Sequence, residues 1–135
     1  MTLPELHRIV YLPIKWMEVK HSRFSHVGYL TDDITFNIEI KHARMVHLIP
    51  PDSLKPLNYP SEDAAMDGAL VYAIENWVSI LDNHLSQRRG QLDLFGSNSY
   101  RLTIEQYEAL GELTTQELEE AYVLKKKGQV PGLEN

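Results

Sequence analysis

The sequence predicts an α+β domain: an N-terminal antiparallel sheet of three to four strands packed against a long amphipathic helix, followed by a short C-terminal helical hairpin. Three observations carry this. Ile34, Phe36, Ile38 and Ile40 alternate with Thr35, Asn37 and Glu39, the period-2 pattern of a strand with one wet face. Met66, Ala69, Leu70, Ala73, Trp77, Ile80, Leu81 and Leu85 recur at three- and four-residue spacing, the stripe of a helix lying on a sheet. Between the two regimes stand Pro50, Pro51, Pro56 and Pro60, which neither continue a ladder nor start a helix interior. The 135 residues, 43% of them hydrophobic, suit one domain over 1–135.

Residues 1–50 are assigned to the sheet. The first strand, around Arg8 to Val19, contains Pro13 and reads as an edge strand or two short pieces. Phe24 to Leu30 pairs with Ile34 to Ile40 as a hairpin across Thr31-Asp32-Asp33, which has turn chemistry. Arg44 to Ile49 adds a further strand, stopped by Pro50-Pro51. Residues 51–60 form an extended connection without regular structure. The long helix then spans 61–89, with Ser61 as N-cap, Glu62 and Asp63 in its first turn, Arg88 and Arg89 at its end and Gly90 just past it. Gly68 is its weak link, costing about 1 kcal/mol against Ala unless close packing requires it. A loop follows over 90–101. Two capping boxes, Thr103 with Gln106 and Thr114 with Glu117, start the helical hairpin of 103–127, and a tail covers 128–135.

Charge narrows the function classes. The net charge is −6, and residues 51–135 hold fourteen of the nineteen Asp and Glu. An acidic chain repels phosphate backbones, so direct nucleic-acid binding is disfavoured. The hairpin is no helix-turn-helix reader, because its second helix opens with Gln116, Glu117, Glu119 and Glu120 where DNA would lie. No apolar run approaches the roughly 20 residues of a membrane span. The absence of cysteine fits a cytoplasmic location and removes thiolate metal sites.

Chemistry-bearing clusters are sparse. Five of the six histidines lie in the first fifty residues, but His21 and His26, like His42 and His47, are five apart and fall on opposite faces of a strand. No metal, cofactor or catalytic set is assigned. Asp32 and Asp33 read as turn formers. Lys15, Lys20, Arg23, His26, Lys41 and Arg44 could combine into a phosphate-accepting patch, with no glycine-rich loop to support it.

The most specific feature is Gln91-Leu92-Asp93-Leu94-Phe95. It resembles the pentapeptide by which many bacterial replication and repair proteins dock on the DNA polymerase sliding clamp: Gln, Leu, Ser or Asp, Leu, Phe. All five positions match, which average amino-acid usage would produce in only about one chain in several thousand of this length. The resemblance implies an extended peptide in a groove, with Gln91 as the polar anchor, Leu92 in a side pocket, and Leu94 and Phe95 as the main apolar anchors. It covers five residues, and no family is recognised over the rest.

The sequence therefore points to a non-enzymatic protein–protein interaction module of bacterial or phage type, with the sliding clamp as the named partner. Two other classes stay open: an acidic inhibitor or immunity-type protein using Glu105, Glu108, Glu112, Glu117, Glu119 and Glu120, and a small enzyme or ligand-binding domain with a site on the histidine-bearing sheet. Homo-oligomerisation is left open.

Overall fold

The Thr31–Asp33 turn organises the sheet. Thr31 Oγ1 accepts hydrogen bonds from the backbone N–H of Asp33 (3.2 Å) and of Ile34 (3.1 Å), closing the reversal between β2 (His26–Tyr29) and β3 (Thr35–His42). In the computed structural model, residues 3–95, 102–113 and 115–126 are described, with the backbone alone for 3–4, 90–95, 115, 121 and 124–126. The expected α+β class holds. The sheet has five antiparallel strands in the order β1-β2-β3-β4-β5, where β1 is Lys15–Glu18, β4 Met45–Ile49 and β5 Leu57–Tyr59.

Cross-strand partners share a face, so the register sorts the side chains. Phe36 lies opposite Gly28, and Gly28 opposite Trp16; Ile38 lies opposite Leu48; and Val46 opposite Tyr59. Phe36, Ile38, Val46 and Leu48 are buried, and this face carries the helices. Val27, Tyr29, Thr35 and Asn37 occupy the other face and stay part-exposed. Gly28 is where the Trp16 indole lies down, because a Cβ there would stand 2.6 Å from the ring.

Four expectations are corrected. First, the chain opens with a helix, α1 (Leu3–Ile9), in place of the start of a strand from Arg8. Leu6 and Val10 are four apart and both buried, joined by the Val10 N–H bond to the Leu6 carbonyl, so a short apolar stripe outweighs any strand pattern. The edge strand survives only as β1.

Second, the Pro-rich connection is not wholly irregular. Leu57-Asn58-Tyr59 pairs with β4, bounded by Pro56 and Pro60 at the positions where an edge strand tolerates proline.

Third, the single helix of 61–89 is two helices, α2 (Glu62–Glu75) and α3 (Trp77–Phe95). Asn76 has left the helical region at φ −115°, ψ 25°, and both its backbone N–H (2.9 Å) and its Nδ2 (3.1 Å) bond the Tyr72 carbonyl. Its own carbonyl accepts the Ile80 N–H at 2.9 Å, so one residue closes α2 and opens α3. The start of α2 matches expectation: Ser61 Oγ accepts the Ala64 N–H at 3.1 Å, with Glu62 and Asp63 in the first turn.

Fourth, Gly90 does not end the helix; α3 continues through it to Phe95. A helix interior tolerates Gly at about 1 kcal/mol, and Gln and Leu are among the better helix formers. The helical hairpin is present as α4 (Ile104–Gly111) and α5 (Thr115–Lys126), with the Thr103–Gln106 capping box formed in both directions. Thr114, and with it the second capping box, lies outside the described residues, as do the tail 128–135 and most of the loop after Phe95.

The core lies between the sheet and these helices. Ala65, Ala69 and Ala73 face α2 toward β3 and β4, while Trp77, Ile80, Leu81 and Leu85 of α3 share the same core with Tyr107 and Leu110 of α4 and Leu118 of α5. Trp77 donates its Nε1–H to the Leu110 carbonyl at 2.7 Å, tying α3 to the end of α4. Close packing does require Gly68, since a Cβ there would overlap the Tyr59 ring. Ala at this position adds about 1 kcal/mol of helix propensity. Displacing the Tyr59 ring from its partly buried seat costs more, about 1–3 kcal/mol. Gly68→Ala is therefore expected to lower the melting temperature, and a rise on thermal denaturation would show that the ring swings aside freely.

Candidate functional site

Two regions hold the residues with chemistry to offer. The first is the pentapeptide. Gln91, Leu92, Asp93, Leu94 and Phe95 form the last turns of α3, with helical backbone where the sequence implied an extended loop segment. They follow Arg88, which is buried and donates from Nη1 to the Leu102 carbonyl, and Arg89, whose Nη2 meets Glu108 Oε1 at 2.8 Å. These two contacts hold α3 to the start of α4 immediately before Gly90.

The second is a cleft of about 450 Å³ lined by the start of β3, the end of β4, the loop after it and α3. Asp33, Thr35 and Asn37 come from the sheet side, Asn83, His84 and Gln87 from α3, and the Pro50–Leu54 loop forms a wall. Asp52 pins that loop: it accepts from Tyr72 Oη at 2.7 Å and from Ser79 Oγ at 2.9 Å. Burial, followed by the Asp52 hydrogen bond and charge, pushes the Tyr72 phenol up to about 12, so it remains a donor throughout the physiological range.

At the other end of the cleft a directed hydrogen-bond chain forms. Thr31 Oγ1 already accepts two N–H groups, so its hydroxyl proton points to Tyr107 Oη, 3.1 Å away. Tyr107 then donates to Asp33 Oδ2 at 2.9 Å, and the Leu102 N–H donates to the same oxygen at 3.2 Å. Burial raises the Tyr107 phenol far above its ordinary value. The His84 ring lies 4.5 Å from the Tyr107 ring, centroid to centroid. Burial holds His84 below its ordinary value against the pull of Asp33, with Arg88 pushing in the same direction as burial, so the ring is neutral at pH 7.

No sequence pattern marks this cleft. Its histidine is His84, not His26, His42 or His47. His26 instead meets Glu62 at 2.8 Å and Ser25 at 3.0 Å, and His42 is exposed. Of the candidate basic patch, Arg23 and Lys41 both pair with Glu39 at 2.8 Å, and Lys15 lies over the Tyr11 ring. The Lys41 hydrogen bond comes first in holding the Glu39 carboxyl below its usual value. Asp32 takes a 2.6 Å bond from Tyr11 Oη. Glu105, Glu108, Glu112, Glu117, Glu119 and Glu120 are all exposed, as an acidic binding face would need.

Among the described residues no group of three His, Asp or Glu gathers as metal ligands, and no helix is long and apolar enough to cross a membrane. No family model matches the chain, and no curated protein or solved structure matches it.

Proposed function

We propose that the chain is a cytoplasmic, non-enzymatic docking module that engages the bacterial polymerase sliding clamp through Gln91-Leu92-Asp93-Leu94-Phe95. The observation that carries this reading is the match at all five positions of the motif. The place of the pentapeptide in the chain supports it. Helix ends open at little free-energy cost, and this segment is the end of α3, beyond the Arg88 and Arg89 contacts. Gly90 lowers helix stability by about 1 kcal/mol at the junction, so the last turns can leave α3 without disturbing the helix before it. Five residues span about 7.5 Å as helix and about 16 Å when extended, the form in which a groove reads successive side chains.

Coupled unwinding makes a distinctive prediction. Leu94→Ala and Phe95→Ala are each expected to weaken binding to a purified bacterial clamp by at least about tenfold in a fluorescence titration, as hot-spot anchors do. Gly90→Ala touches no anchor but stabilises the helix by about 1 kcal/mol, so it is expected to weaken binding about fivefold. Absence of binding, or binding indifferent to both anchor substitutions, would falsify the proposal.

A further inference from the structure

The clamp reading leaves the cleft between β3, the Pro50–Leu54 loop and α3 unused, and the wall of that cleft has a consistent chemistry. Asn37, Asn83 and Gln87 line it with three carboxamides that make no hydrogen bond among the described residues. Asp52 stands there without a basic partner: its two hydrogen-bond donors are the hydroxyls of Tyr72 and Ser79, and it pairs with no Lys, Arg or His among the described residues. Among the described residues no Lys or Arg lines the cleft. A phosphate or carboxylate placed here would face Asp52 without compensation, whereas an ammonium or guanidinium would meet a fixed negative charge in a recess partly walled by Ile49, Pro50 and Ile80. The volume of about 450 Å³ falls within the range of clefts that hold small metabolites, about 300–1,000 Å³.

We infer that this cleft binds a small organic cation, an amine- or guanidine-bearing metabolite whose charge sits against Asp52 and whose remaining polar groups bond the amides of Asn37, Asn83 and Gln87. The neutral His84 ring closes the same wall and adds no competing positive charge.

The test is a nuclear magnetic resonance titration of the full 15N-labelled chain with agmatine, with n-butylurea as a neutral probe and glutarate as an anionic one. Agmatine is expected to shift the side-chain amide signals of Asn37, Asn83 and Gln87 saturably. Butylurea should bind at least about tenfold more weakly, and glutarate should leave these signals in place. Asp52→Asn should weaken agmatine by a similar factor. Asn83→Leu lies outside the Tyr72–Asp52–Ser79 bonds and should weaken it several-fold with the backbone spectrum intact. The inference is overturned if agmatine leaves the three amide signals unmoved at millimolar concentration, if butylurea or glutarate moves them equally, or if Asn83→Leu folds and binds unchanged.

Discussion

Replacing Phe36 with Ala is expected to cost about 3–5 kcal/mol, the usual range for removing a fully buried ring. Phe36 is 0% exposed on the central strand β3. Its ring meets Tyr72 edge-on, with centroids 6.0 Å apart and planes at 88°, so the substitution removes one of the contacts joining the sheet to α2 together with the apolar volume. A domain of this size has about 5–15 kcal/mol of stability in total, and the variant should therefore melt well below the parent. Urea denaturation checks it, with an expected fall in midpoint at unchanged slope. Val78, which is 53% exposed on α3, provides the comparison: Val78→Ala should stay within about 0.5 kcal/mol. A Phe36→Ala loss below about 1 kcal/mol would mean that the sheet and α2 do not share one core.

The same burial explains what could be read from the chain in advance. β3 was legible because a strand with one wet face must alternate, and Phe36 and Ile38 do so against Thr35 and Asn37. The break at Asn76 was not, because Ala69, Ala73, Trp77 and Leu81 keep a four-residue spacing straight across it. Periodicity reports which face is apolar and is blind to a cap that leaves the face intact. Gly90 misled in the opposite direction: glycine marks helix ends statistically, yet its cost in an interior is small enough for neighbouring helix formers to outweigh. β5 is three residues long, too short to show alternation at all.

The cleft was illegible for a different reason. Asp33, Asp52 and His84 arrive from a turn, a proline-rich loop and a helix, and no spacing rule links positions so far apart in the chain. Asp33 did read correctly as a turn former. What sequence could not reveal is that its carboxylate reaches across the domain to Tyr107 and Leu102, because that requires the α4 region to return to the β2–β3 turn.

That reach makes Asp33 the polar counterpart of Phe36. In Asp33→Ala, the Tyr107 hydroxyl and the Leu102 N–H both lose the acceptor they share, and Tyr107 is fully buried. Each stranded donor costs about 1–3 kcal/mol, giving an expected loss of about 2–6 kcal/mol from a part-exposed side chain that packs little apolar surface. Asp33→Asn keeps an acceptor oxygen and should lose less than half as much. A double-mutant cycle separates the network from mere truncation. Tyr107→Phe deletes the donor itself, so adding it to Asp33→Ala should cost at least about 1 kcal/mol less than the sum of the single changes. Hydrogen exchange should also show the Leu102 amide losing protection in Asp33→Ala while the Ile38 amide in β3 keeps its own. Strict additivity with Leu102 still protected would mean that the Asp33 carboxylate does not carry these bonds, and that the start of α4 is held by the Arg88 bond to the Leu102 carbonyl instead.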